Sequence, residues 1–152
     1  MKTIILSIAL FLSGLSLALA QTKPYLNLVD AQRITAAATE KAKAEGWNVV
    51  IVILDDGGNL ISLQRMDGVQ VGSIEVAQAK AKSAVFFKRP TKIFEDAMKA
   101  EGGARIATLP NAVGVEGGLP IFKDGVIVGA IGVSGVTSAQ DGIIAAAGID
   151  KY

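Results

Sequence analysis

Hydrophobic and polar residues follow two different periods along this chain, and glycines and caps mark where one gives way to the other. Residues 28–45 are rich in Ala, Glu and Lys, begin after Asn27 as an N-cap with Asp30 three positions on, and stop at Gly46. That pattern predicts a helix. Residues 47–54 run Trp-Asn-Val-Val-Ile-Val-Ile-Leu, dense enough in β-branched side chains to predict a central strand. Asp55-Asp56-Gly57-Gly58-Asn59 is turn chemistry. Beyond it, residues 60–65 alternate, Ile61 and Leu63 opposing Ser62 and Gln64, which predicts a β-hairpin with a half-exposed second strand.

A second helix is predicted over 73–87, with Ile74, Ala77, Ala81 and Val85 along one side and Pro90 ending it. Thr91 caps a shorter helix to about residue 100, stopped by Gly102-Gly103, and 105–111 reads as a loop kept extended at Leu109-Pro110. Residues 119–123 and 126–134 form a second hairpin around Asp124-Gly125, a pair suited to a two-residue turn. Thr137 and Gln140 spell a capping box for a last helix that runs to Ala147, before Gly148. Two hairpins separated by helices predict an α/β domain of the α+β kind, one antiparallel sheet with helices packed on it. A doubly wound parallel sheet would need strand and helix to alternate throughout.

The first twenty residues stand outside this pattern. Lys2 gives a positive start, residues 4–12 are apolar, and Ala18-Leu19-Ala20 closes with small side chains, the layout of a signal peptide cleaved after Ala20. As a membrane anchor the stretch is short and broken by Ser13-Gly14 and Ser16, whereas a bilayer needs roughly 20 apolar residues. With no cysteine to acylate, a lipoprotein is excluded. Residues 21–152 have the size of one domain, expected in the periplasm or secreted.

Composition sharpens this. The chain is 51% hydrophobic but only 5% aromatic, so its core must be built from Ala, Val, Ile and Leu. Lys and Arg total 15 against 14 acids, which leaves no electrostatic footprint for nucleic acid. The absence of cysteine means that no disulfide staples an exported domain, and burial in an oligomer is the expected help. The absence of histidine removes Cys/His zinc sites, Ser-His-Asp triads and histidine general-base catalysis.

Several constellations could carry chemistry. Gly114, Gly117, Gly118, Gly125, Gly129, Gly132 and Gly135 crowd one stretch, but neither GxGxxG nor GxxxxGK[ST] is present. Glycines inside a strand, such as Gly129 and Gly132, instead suit close approach of backbone or ligand. Gly132-Val133-Ser134-Gly135 is not a GxSxG elbow and has no histidine to activate Ser134, which is expected to hydrogen-bond to backbone or ligand. Arg65-Met66-Asp67-Gly68 reads either as a turn with an exposed ion pair or as a carboxylate-binding arginine beside a soft thioether. Lys80, Lys82, Lys88, Arg89 and Lys92 make a basic run that, with Glu95 and Asp96 following, reads as a solvated face. A role in holding carboxylates or propionates is its alternative.

Four stretches, read in order, resemble one family. They are Val52-Ile53-Leu54-Asp55 with Gly58-Asn59-Leu60, then Arg65-Met66-Asp67-Gly68, then Gly117-Gly118-Leu119-Pro120-Ile121, and then the run from Asp124 to Gly135, with Gln140-Asp141 leading into the last helix. The resemblance is to the haem-binding and haem-degrading family (GlcG/HbpS-like) that includes the protein encoded with glycolate oxidase and the C-terminal domain of a cobalamin adenosyltransferase. It implies a profilin-like antiparallel sheet of about five strands flanked by helices, and assembly into homo-oligomers from dimers to octamers. It also implies haem or a related tetrapyrrole as cofactor. Histidine ligation, associated with haem-binding members, is impossible here. Iron would fall to Met66, Met98, Tyr25, Tyr152, a lysine or water, or haem would be gripped by its propionates.

The leading expectation is therefore an exported, oligomeric small-ligand binder for haem or a tetrapyrrole. Alternatives are an enzyme or carrier for a small, glycolate-like organic acid, whose redox step would need a bound cofactor, and an oligomeric accessory protein without chemistry of its own. The expected site is Arg65, Met66 and Asp67 with Gly117, Gly118, Pro120 and Ser134. Arg65 would pair with an acidic ligand group and Asp67 would orient it. The glycine–proline loop would admit a flat ligand to backbone, and Ser134 would donate a hydrogen bond.

Overall fold

The structure is a computed structural model and describes residues 23–152; the expected signal peptide lies outside them. Helix α1 (Leu28–Ala44) starts where Asn27 Oδ1 accepts the Asp30 N–H at 2.8 Å. Strand β1 (Val50–Asp55) begins three residues later than its β-branched run suggests. The Trp47 N–H is still held by the Ala42 carbonyl at 2.9 Å, so Trp47 belongs to the helix exit rather than the ladder. Strand β2 (Leu60–Arg65) follows across the Asp55 turn, whose carboxylate accepts the Gly57 and Asn59 N–H groups.

Helices α2 (Ser73–Phe87) and α3 (Thr91–Lys99) come next. Residues Gly103–Thr108, which overlap the loop expected over 105–111, wind into a 3₁₀ segment in which Thr108 Oγ1 donates to the Arg105 carbonyl at 2.7 Å. Strands β3 (Gly118–Lys123) and β4 (Val126–Ser134) enclose Asp124-Gly125, both at positive φ as a two-residue turn of this kind demands. Helix α4 (Ser138–Ile149) opens on the Thr137–Gln140 capping box.

The sheet has four antiparallel strands in the order β2-β1-β4-β3, where about five were expected. Alternation along β1 divides the core. Ile51 and Ile53 join Ala31, Ile34, Ala38, Ile131, Val133 and Ile144 under α1 and α4, while Val50, Val52 and Leu54 join Ala77, Ala81 and Ala84 under α2. Each fully buried Ile or Val in these layers contributes roughly 1.5–3 kcal/mol.

Two glycines set how closely α2 sits on the sheet. Gly118 and Gly132 are register partners on β3 and β4. A Cβ on Gly132 would lie 2.0 Å from the Ala77 carbonyl oxygen, and one on Gly118 would lie 2.3 Å from that of Lys80. Helix backbone therefore rests directly on strand backbone, and α2 can use alanines where larger side chains would otherwise fill the gap. No helix among the described residues is long and apolar enough to cross a membrane.

Candidate functional site

The two ends of the sheet differ. At the end that carries both hairpin turns, Lys23, Asp56, Val85, Lys88, Phe122, Gly125, Val126 and Ile127 line a recess of about 580 Å³. Phe122 and Val126 flank the Asp124-Gly125 turn and are 50% and 41% exposed, an apolar wall left open to solvent. Lys88, the C-cap of α2, projects here, and Lys23 pairs with Asp56. Among the described residues no carboxylate is within ion-pairing distance of Lys88. An apolar wall with a few fixed charges at its rim, at this volume, is the usual make-up of a small-molecule site.

The other end carries a buried ion pair between α2 and α4. Lys80, expected with the solvated basic run, is instead one of the most buried side chains, 1% exposed. Its Nζ donates to Asp141 Oδ2 at 2.7 Å and to the Val133 carbonyl at 3.0 Å. Asp141 Oδ1 accepts the Val136 N–H at 3.3 Å. Burial pushes the Asp141 carboxyl above the usual carboxylate range, and the Lys80 ammonium pulls against that. Gly117, at φ +125°, makes the room, because a Cβ there would come within 2.9 Å of Lys80 Nζ. The neighbouring Glu116 N–H donates to Glu95 Oε2 at 2.7 Å. The Lys99 ammonium and this N–H hold the Glu95 carboxyl down at about 2.

The remaining members of the basic run stay on the surface, with Lys82 over the Phe86 ring, Arg89 over the Phe94 ring and Lys92 bonded to Asp96. The signal that separates Lys80 from them is its phase. It falls between Ala77 and Ala84 at helical spacing, on the stripe that faces the sheet.

The expected site residues are divided by this geometry. Val50 pairs with Arg65 on one side and Ser134 on the other, so all three share one row and one face of the sheet. Arg65 is exposed and donates to the Val69 carbonyl at 3.3 Å, while Ser134 is buried. Met66 packs on the opposite core, beneath α1. Arg65, Met66 and Asp67 do line a recess of about 330 Å³ with Thr39, Lys43, Asn48 and Gln64. Gly117, Gly118 and Pro120 are buried on β3 and its lead-in, the far edge of the sheet. The approach expected of a flat ligand is occupied at Gly118 by the α2 backbone.

Comparison with known proteins decides the family. The model described as "Haem degrading protein HbpS-like" matches residues 26–150. The chain belongs to the HbpS-like family. Protein GlcG of Escherichia coli (strain K12) is 41% identical over 114 residues, covering 75% of this chain and 84% of GlcG. The crystal structure of the PduOC:heme complex superposes with a TM-score of 0.78 at 30% identity, covering 85% of this chain and 96% of that one. The crystal structure of HbpS gives 0.76 at 30% identity, covering 84% and 89%. Haem binding is thus found within the HbpS-like family.

The recess at the hairpin end fits one part of a haem and not the other. Phe122, Val126, Ile127 and Val85 offer a wall for a flat apolar ring, and Lys88 and Lys23 lie where its acidic substituents could reach. Of the side chains suggested for the iron, lysines reach the recess, while the methionines and tyrosines are elsewhere. Met66 is at the opposite end, and the Met98 thioether lies directly over Gly114. Tyr25 is exposed and outside the recess lining, while the Tyr152 hydroxyl is buried. Sequence reasoning named Lys88 but missed Phe122 and Val126. Their signal is two bulky apolar residues bracketing a tight turn, where polar ones would cost nothing.

Proposed function

We propose that this HbpS-like protein is exported and binds haem or a related tetrapyrrole as a homo-oligomer. The observation that carries the ligand is the recess at the hairpin end, which sets an exposed Phe122–Val126 wall against Lys88, a cation with no ion-pair partner among the described residues. Its support from outside is the 30% identity to PduOC, whose crystal structure is a haem complex. Titration of the purified protein with haemin, followed in the Soret region, should give saturable binding at a fixed stoichiometry. Lys88→Glu should weaken it roughly tenfold, about 1.4 kcal/mol, while Arg65→Ala leaves it unchanged. The reverse pattern would move the site to Arg65. Export predicts a mature N-terminus at Gln21, readable by intact mass, and light scattering gives the oligomer size.

The recess around Arg65 supports a second reading. Arg65, Lys43, Asn48 and Gln64 suit a small hydroxy acid better than a macrocycle. A rise in melting temperature with glycolate that disappears in Arg65→Ala would favour it, and no shift would remove it.

A further inference from the structure

We infer that the recess recognises a carboxylated tetrapyrrole through its ring face and acidic substituents and not through a coordinated metal, so that metal-free porphyrin is a ligand equivalent to haem. This rests on the tetrapyrrole reading of the recess and narrows it to a class.

Protein ligands to haem iron are chiefly His nitrogen, Cys or Met sulfur, or Tyr oxygen, and a lysine can join them only as the neutral amine. The chain has neither His nor Cys, and its tyrosines are Tyr25 and Tyr152. Besides Met1, its methionines are Met66 and Met98. None of these four residues lines the recess. The groups that do are Lys23, Asp56 and Lys88 among apolar side chains and Gly125. Asp56 is engaged by Lys23. A lysine ammonium presents three N–H donors and no lone pair, which suits a carboxylate and repels a metal cation. What remains to hold a ligand is burial of ring against Phe122, Val126, Ile127 and Val85, with charge-assisted hydrogen bonds from the lysines. Both act alike on a porphyrin with or without iron.

The experiment is a parallel titration of the purified protein with haemin, protoporphyrin IX and its dimethyl ester, read by quenching of Trp47, the single tryptophan, and by porphyrin absorbance. Haemin and protoporphyrin should bind within about threefold of each other. The ester should bind at least tenfold more weakly, and Lys88→Glu should weaken both acids by a similar factor. Haemin binding tenfold or more tightly than protoporphyrin would overturn the inference while leaving haem binding intact. Equal binding of the ester would overturn the role of the carboxylates. Failure of both acids to bind would instead overturn the tetrapyrrole reading itself.

Discussion

Lys80 and Lys88 are the same residue type a little over two turns apart on one helix, and the protein uses them in opposite ways. Lys80 points into the core, where Asp141 and the Val133 carbonyl take up two of its donors. Lys88 caps the helix at the rim of an open recess. A buried charge is tolerated only with its partner in place, so Lys80 reports on folding. A surface charge with no protein partner costs almost nothing to fold, so Lys88 is available to a ligand. The difference teaches where to look in this fold: family motif residues occur at both ends, and the recess lined by Gly125, Val126 and Ile127 is the one that leaves a lysine without a buried partner.

Breaking the buried side should have the largest effect. Lys80→Met strands the Asp141 carboxylate and should cost about 3–5 kcal/mol in chemical denaturation, whereas Lys80→Met with Asp141→Leu should recover most of it. A single-variant loss under about 1 kcal/mol would mean the pair is not what holds this end. Next comes the seat of the helix. Gly132→Ala places a Cβ against the Ala77 carbonyl and should cost on the order of 1–3 kcal/mol; an unchanged midpoint would show that α2 can lift freely.

Acid should then loosen the Lys80–Asp141 end through Glu95. Its folded value of about 2 lies below the ordinary carboxylate value, so the unfolded chain takes up the proton first as pH falls. The contribution is complete above about pH 5 and is lost progressively towards pH 2. Stability measured across that range should fall less steeply in Glu95→Gln than in the parent, and parallel curves would count against the clamp. The smallest change belongs to the other lysine: Lys88→Glu should shift unfolding by no more than about 0.5 kcal/mol, and a larger loss would show that Lys88 is structural after all.

Local chemistry was legible in the sequence. Asn27, the Thr137–Gln140 box and Asp124-Gly125 each specify a cap or turn from residues within three positions, and each is formed. What could not be read locally depends on partners far along the chain. Nothing near Lys80 announces Asp141, and nothing near Gly132 announces that a helix backbone lies 2.0 Å from where its Cβ would be. Phe122 and Lys88 likewise meet only once the β3–β4 hairpin folds beside the end of α2.

The backbone of Lys88 has a consequence of its own. Its φ of +55° lies in the left-handed region, where a side chain is strained and glycine is at ease. Lys88→Gly should therefore make the protein harder to melt while making it a poorer binder, so that stability and affinity move in opposite directions at one residue. A selection for heat resistance alone would replace this lysine with glycine.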